Sequence, residues 1–263
     1  MRLRVAISFL LCLSCLRLPV SGQQSASPPV VRDSQSLAAL QQSVAAMGGS
    51  AALPNTGIVA HGQITVPPAG ISGPILWENQ GSEFRYERPG VNGAIVFVSG
   101  HGDAALIDGV SVQRNISHLA ISTPPPHLPA LCLLSAINNP AMRVTSPQQV
   151  SLNSLTAIKI SMVDQTDEIT SVVTQQDWYL DPKTMLPLRL DFVTAEIHNA
   201  VAAVKMTYVF SNYQRVSGVM IPFNVAMLAD SQKMADIAFT SVEVGASISP
   251  TDFDVPANTA VAK

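Results

Sequence analysis

Alternation of apolar and polar residues is the main pattern along this chain, and it predicts β-strands. The segment WYLDPKTMLPLRLDF, residues 178–192, reads as the end of one strand, a polar turn and the start of another. After the turn every second residue is apolar, and these residues are predicted to share one face, opposite Pro187, Arg189 and Asp191: Leu186, Leu188, Leu190 and Phe192. Strands are also predicted at 56–66, 73–80, 82–89 and 93–100, with a short strand after residue 102, and at about 155–163, 168–180, 185–194, 200–213, 219–229 and 233–244.

Two segments have helical periodicity instead. Residues 37, 40, 44 and 47 are apolar at helical spacing, which predicts a short amphipathic helix capped by Ser34 or Ser36 and ended by Gly48 and Gly49. A second helix is predicted from about Pro129 to Ile137, where Asn138-Asn139-Pro140 stops it. Its apolar face is predicted to contain Leu128, Leu131, Leu134 and Ile137.

The order of these elements predicts a mainly β fold of the α+β class. Successive strands joined by short polar turns form an antiparallel meander, and the absence of β-α-β alternation makes a parallel nucleotide-binding sheet improbable. A long sheet of this kind must curl or close in order to bury one face. The late strands predict which face is buried, with these residues pointing to it: Val204, Met206, Tyr208 and Phe210, then Val219, Ile221, Phe223, Val225 and Met227.

The N-terminus predicts export. Residues 1–22 have a basic start, an apolar stretch too short for a membrane span and small residues before the expected cleavage site after Gly22. An alternative is a lipidated Cys15. Residues 23–33 are predicted to be a flexible segment, 34–258 a single domain and 259–263 a disordered tail. The mature protein is therefore expected to be periplasmic or secreted, with association with the cell envelope as an alternative.

Composition narrows the function classes. Charged residues are only 13% of the chain, the net charge is −3, and no basic run could neutralise phosphates, so nucleic-acid binding is not expected. After cleavage only Cys132 remains, and we interpret it as a small buried hydrophobic residue. His101 and Asp103 in SGHGD could form an acid-base pair, but a glycine-rich turn between strands is the favoured interpretation. Neither a nucleophile motif nor a metal-ligand pattern is present, so no enzyme, metal or cofactor is predicted.

Several segments together resemble one family. WYLDPKTMLPLRLDF, then YVFSNYQRVSGVMIPFNV, then VEVGASISPTDFDVP, with LAALQQSVAAMGG near the start, are similar in kind and order to segments of the outer-membrane lipoprotein carrier (LolA/LolB-like) superfamily. The resemblance covers about two thirds of the mature chain. It implies a curved antiparallel half-barrel with short helices packed as a lid on its concave face.

The resemblance also implies a function, namely non-catalytic binding of a lipid or a lipoprotein acyl chain in an apolar concave cavity by a monomer, with an envelope protein as a possible partner. The implied cavity wall is Leu186, Leu188, Leu190, Phe192, Met206, Phe210, Ile221 and Phe223, and the implied lid is Leu128, Leu131 and Leu134. The chain departs from true carriers in a Pro-rich insert at 124–129 and in the lack of the lid arginine that locks the empty carrier, which indicates a divergent member of unknown ligand. Two alternatives stay open: a secreted structural or interaction domain without a ligand, and a secreted hydrolase with a cryptic site.

Overall fold

A computed structural model describes residues 30–49, 53–101, 103–109, 111–114, 128–152, 154–196 and 199–255. The expected signal peptide, the C-terminal tail and most of the Pro-rich insert lie outside these residues. Within them, no helix is both long enough and apolar enough to cross a membrane.

The described chain is a curved, unclosed antiparallel sheet with three helices, which confirms the predicted fold class. The helices are α1 (Ser34–Ala46), α2 (Pro129–Asn138) and α3 (Glu168–Val173). The strands are β1 (Ile58–Val66), β2 (Ile71–Gln80), β3 (Glu83–Gly90), β4 (Gly93–Gly100), β5 (Asp103–Asp108), β6 (Ser111–Arg114), β7 (Met142–Val144), β8 (Gln148–Leu152), β9 (Leu155–Asp164), β10 (Gln176–Leu180), β11 (Pro187–Glu196), β12 (Asn199–Val216), β13 (Val219–Ala229) and β14 (Gln232–Val244).

The sheet consists of two meanders joined at one seam. Its order is β6-β5-β4-β3-β2-β1-β14-β13-β12-β11-β10-β9-β7, and β8 also pairs with β9. The seam is the antiparallel pairing of β1 with β14, the first and the last strand of the chain, from Ile58 opposite Val244 to Thr65 opposite Asp236. Every other named pairing joins strands close in sequence, as the short polar turns predict.

Helix α1 covers the concave face and is held at both ends. At its start the Asp33 side chain, not Ser34 or Ser36 as expected, accepts a hydrogen bond from the Ser36 backbone N at 2.9 Å, and this bond lowers the pKa of Asp33. At its end the Met220 backbone N donates to the Met47 carbonyl at 2.8 Å. Gly48, with a φ of 72°, passes so close to the β12–β13 turn that a Cβ would lie 2.1 Å from the Gly218 oxygen.

The expected strand at 168–180 is wrong in its first half, where the chain forms α3. The Asp167 carboxylate accepts hydrogen bonds from the backbone N and the hydroxyl of Thr170, at 2.8 and 2.7 Å, and so caps the helix. Asp167 and Glu168, in the acidic segment 164–168, thus form the start of α3. Residues 176–180 do form a strand, β10.

A β-bulge changes the predicted register in β11. Arg189 lies opposite Tyr179, but the next pair along is Pro187 opposite Leu180, so Leu188 is an extra residue without a partner in β10. Pro187 is consequently buried, whereas the alternation had put it on the polar face. From Leu190 onward the predicted alternation holds, with Leu190 opposite Trp178.

The closing segment that follows β14, residues 249–254, forms a short capped turn that packs on the sheet. Residues Pro250–Phe253 form a 3-10 turn, begun by a capping box between Ser249 and Asp252. Phe253 is fully buried and packs against Gly100, where a Cβ would lie 2.4 Å from the Phe253 oxygen. This segment fastens the chain to β3 and β4 on the side of the sheet away from α1 and α2.

Candidate functional site

The concave face and the two helices on it form one apolar interior. Five of the eight expected wall residues are buried in a single hydrophobic cluster that also contains residues of α1 and α2, with exposures between 0 and 7%: Leu190, Phe192, Phe210, Ile221 and Phe223. Leu186 and Met206 are half-buried and pack against that cluster. Leu188 is half-buried at the bulge and lies outside it. The structure thus brings seven of the eight expected wall residues together.

Aromatic contacts connect side chains of β10, β11 and β12 on the concave face, which forms the floor of this interior below the helices. Trp178 stacks on Phe210 with ring centroids 6.3 Å apart and planes 10° apart, and Phe192 meets Tyr208 edge to face at 4.9 Å. Offset stacks and edge contacts of this kind are worth about 0.5–1.5 kcal/mol beyond the area that they bury. These contacts therefore stabilise the floor below the helices.

Helix α2 lies on this floor, but its most buried face differs from the expected one. Leu128 is buried as expected, whereas Leu131 and Leu134 are only half-buried and Leu133 is fully buried, together with Ala130 and Ala136. The helix is apolar on almost every side, with Ser135 and Asn138 its only exposed residues. Because the helix is apolar on almost every side, its periodicity cannot indicate which side meets the sheet.

The two ends of α2 are held differently. At the C-terminal end, Arg32 Nη2 donates to the Ile137 carbonyl at 2.5 Å, and Asn139 Nδ2 donates to Asp164 Oδ2 at 2.7 Å. At the N-terminal end, Pro129 occupies the first turn and no side chain of the described residues caps the helix. Polar side-chain bonds therefore hold the C-terminal end, whereas among the described residues the N-terminal end is held by the apolar packing of Leu128 and its neighbours.

Asn139→Ala is expected to lower the free energy of unfolding by about 1–3 kcal/mol, because it removes the bond to Asp164 and a second bond from the Ala141 backbone N. Urea denaturation followed by circular dichroism measures the change. The neighbouring Asn138→Ala is the control, since Asn138 is exposed and should change stability by less than about 0.5 kcal/mol. Equal effects of the two substitutions would contradict an anchoring role for Asn139.

The interior continues onto the first meander through aromatic residues that the sequence did not single out. Trp77 meets Tyr86 at a centroid distance of 4.7 Å, and Phe84 meets Phe97 at 5.1 Å. Tyr86 and Phe97 are half-buried and pack against the main cluster. Alternation within SEFRYERP and GAIVFVSG could have placed them on one face, but only the curl of the sheet puts that face opposite the second meander.

Polar groups inside this interior are few and neutral. Burial raises the pKa of Tyr86 to about 12, with Arg88 as a smaller opposing influence. Burial raises the pKa of Tyr208 well above its usual range, as do the nearby Tyr86 and Cys132. Burial also raises the pKa of the Cys132 thiol, so this cysteine is not a thiolate nucleophile at neutral pH.

The opposite face of the second meander is a polar groove of about 880 Å³. Lys159 Nζ pairs with Asp177 Oδ2 at 2.9 Å, and Arg189 Nε pairs with Asp191 Oδ1 at 2.6 Å. Thr207 Oγ1 donates to the same Asp191 oxygen at 2.6 Å. These bonds join β9 to β10 and β11 to β12, so the four charges of Lys159, Asp177, Arg189 and Asp191 pair with each other and brace the sheet.

His101 lies in the turn that follows β4, and Asp103 is the first residue of β5, in agreement with the favoured interpretation of a turn between two strands. His101 has a φ of 54°, and its ring lies 3.3 Å from both Glu83 Oε1 and Asp254 Oδ1. The Asp103 carboxylate accepts from the Ala104 backbone N at 2.8 Å. His101 therefore links the closing segment to β3.

Comparison with solved structures bears on this architecture. A domain assigned to outer membrane lipoprotein sorting from Vibrio parahaemolyticus superposes with a TM-score of 0.54 at 19% identity, covering 84% of this chain and 96% of that one. A LolA-superfamily protein from Nitrosomonas europaea gives 0.51 at 9% identity, covering 83% and 97%. The chain has the lipoprotein-carrier fold. No protein-family model matches the sequence, and no curated protein does either.

The carrier fold gives the resemblance noted in the sequence a structural basis. The match spans nearly the whole length of both solved structures, so it includes the sheet and the helices on it. At these identities the likeness concerns the fold, and the ligand must be argued from this chain's own residues.

Proposed function

We propose that this protein is an exported binding protein that holds a hydrophobic ligand, an acyl chain, between the concave sheet and helix α2. The observation that carries the proposal is the continuous apolar interior, lined by both meanders and closed by an almost wholly apolar helix. The lipoprotein-sorting relatives of the same fold support it by analogy. The role is non-catalytic, and the site of action is the periplasm or the cell exterior.

Burial of hydrocarbon supplies enough free energy for such a role. Each buried methylene contributes about 0.8 kcal/mol, so a chain of about a dozen carbons gains roughly 10 kcal/mol before the costs of association. Binding of this kind needs no catalytic groups, only an apolar wall and an entrance for the ligand. The wall residues are covered by α2, so the ligand enters as α2 moves.

The ligand enters the apolar interior at the N-terminal end of α2. Among the described residues that end is held by apolar contacts, and an acyl chain replaces those contacts with equivalent ones. The C-terminal end, bonded to Arg32 and Asp164, acts as the fixed point. Leu128, Leu131 and Leu134 then exchange contacts with the sheet for contacts with the ligand.

A disulfide that fixes the N-terminal end of α2 to the segment after α1 tests the proposal. A Cβ at Gly49 would lie 3.5 Å from the Ala130 Cβ, within the span of a disulfide, and its closest approach is 2.7 Å to Val44 Cγ1. The variant therefore combines Gly49→Cys and Ala130→Cys with Val44→Ala and Cys132→Ala. N-phenyl-1-naphthylamine, which fluoresces in apolar sites, reports uptake after lipid extraction of the protein.

The oxidised variant is expected to lose uptake, and the same sample after reduction is expected to regain it. Reduction of one sample is the matched control, because the substitutions stay the same. Equal uptake in both states would contradict entry beneath α2. No uptake by the extracted wild type, together with no co-purifying amphiphile, would favour the structural domain without a ligand, for which the close burial of the wall residues is the supporting observation.

A further inference from the structure

The polar groove on the convex face of the second meander contains two cations that its ion pairs do not use. Arg143 on β7 and Lys205 on β12 line the groove and are exposed. In the described part of the chain neither of them has an ion-pair partner, whereas Lys159 and Arg189 are each bound to a carboxylate. Both charges are therefore free to attract a partner molecule.

Strand pairing places these two cations at opposite sides of the groove. The register through β9, β10 and β11 puts Arg143 and Lys205 in one row across the sheet. Four strand spacings of about 4.8 Å separate them, which is roughly 19 Å along the sheet. Asp230, the third acid among the described lining residues, lies beside Lys205, because its backbone N donates to the Lys205 carbonyl at 3.0 Å. The Arg143 side is thus the more positive of the two.

Between the two cations, the floor of the groove presents both acceptors and donors. It is a row of four polar residues, each opposite the next on the neighbouring strand: Ser161, Asp177, Asp191 and Thr207. Arg189 uses Nε for Asp191 and Nη2 for Thr207, which leaves the two N–H groups on Nη1 without a partner among the described residues. Helix α3 adds Ser171 and Gln175, one turn apart, as a polar wall.

This lining matches a peptide better than it matches a polyanion. A molecule with many negative charges would meet three carboxylates in the groove, whereas a peptide backbone presents N–H and C=O groups in turn to the acceptors and donors of the floor. An extended chain advances about 3.3–3.6 Å per residue, so two carboxylates about five or six residues apart span the distance between Arg143 and Lys205.

We propose that this groove binds an extended acidic segment of a partner protein, with one carboxylate at Arg143 and a second, about five or six residues away, at Lys205. The inference does not rest on the proposed lipid binding, because the groove lies on the other face of the sheet from the apolar interior. The protein then has separate surfaces for a hydrophobic ligand and for a polypeptide partner.

The test selects peptides without assuming their sequence. A displayed library of random ten-residue peptides is selected on the wild-type protein and, separately, on Arg143→Glu/Lys205→Glu. Wild type is expected to enrich peptides with two Asp or Glu residues five or six positions apart. The charge-reversed variant is expected to enrich Lys or Arg at that spacing, because the attraction at each end changes sign.

Fluorescence anisotropy of a labelled peptide selected on wild type then measures each cation. Arg143→Ala is expected to weaken binding about fivefold and Lys205→Ala about twofold, since exposed ion pairs contribute little and Asp230 offsets part of the Lys205 charge. Lys183→Ala is the control, because Lys183 is exposed in the turn between β10 and β11 and does not line the groove. It should match wild type, and added salt should weaken binding to both.

Three results would overturn the proposal. Selected peptides without paired acids, or peptides that bind the charge-reversed variant as well as wild type, would show that the two cations do not choose the partner. Failure to select any peptide on wild type would show that the groove is not a peptide site. Binding of phosphatidylglycerol vesicles that the reversed variant loses, with no peptide selected, would assign the groove to an anionic lipid surface instead.

Discussion

Phe210→Asp is expected to unfold the protein, not to give a folded protein that fails to bind. Phe210 is 4% exposed, stacks on Trp178 and contacts Tyr208, so aspartate there leaves a cavity and an unpaired charge in the core. The expected loss is about 4 kcal/mol or more in the free energy of unfolding. Phe223→Asp, in the same cluster, should behave alike.

The control for this prediction is the adjacent Ser211→Asp. Ser211 is exposed, so the same new charge one residue further along β12 should change stability by less than about 0.5 kcal/mol. Thermal unfolding followed by circular dichroism measures both variants. A folded Phe210→Asp protein with a normal melting temperature would mean that the position lines an open, hydrated cavity.

Gly48→Ala is expected to cost about 3 kcal/mol and to detach the C-terminal end of α1. Two effects add: the left-handed backbone at φ 72° disfavours any Cβ, and that Cβ would lie 2.1 Å from the Gly218 oxygen. Backbone atoms cannot rotate away, so either the helix end or the β12–β13 turn must move. Chemical denaturation gives the magnitude, and hydrogen exchange of the Met220 amide, bonded to Met47, locates the change.

Gly70→Ala separates the two effects. Gly70 has a similar φ of 62° but nothing within 4 Å of the position that a Cβ would occupy. Its substitution should therefore cost only the backbone strain, about 1–2 kcal/mol. If Gly48→Ala is no worse than Gly70→Ala, the close packing of α1 against the β12–β13 turn is unimportant for stability.

Much of this fold could be predicted from local pattern. Alternation in β13 correctly gave Ile221, Phe223 and Val225 as the buried face, and helical spacing gave both α1 and α2. These predictions were correct for one reason: the spacing of apolar residues within a single strand or helix indicates which of its faces is buried. The order of the carrier-like segments then predicted the architecture that the solved structures share.

The wrong predictions concern features that do not depend on the spacing of apolar residues within one element. One inserted residue at Leu188 moved Pro187 to the buried side, since a bulge depends on the neighbouring strand. Asp167 begins a helix where the sequence predicted a strand at 168–180. The packing of Tyr86 and Phe97 against the cluster that contains the residues of the second meander depends on the curl of the whole sheet, and no local pattern contains it.

The seam between β1 and β14 has a consequence for how this chain reaches its native state. The other pairings between named strands join segments that are close in sequence, but this one joins residues separated by nearly the entire domain. Contacts so distant in sequence form slowly, because a very long loop must close first. Until β14 is available, the edge of β1 remains open to other strands. The pairing of β14 with β1, near the middle of the sheet, is thus expected to be the last step of folding. Aggregation through the open edge of β1 competes with folding until that step is complete.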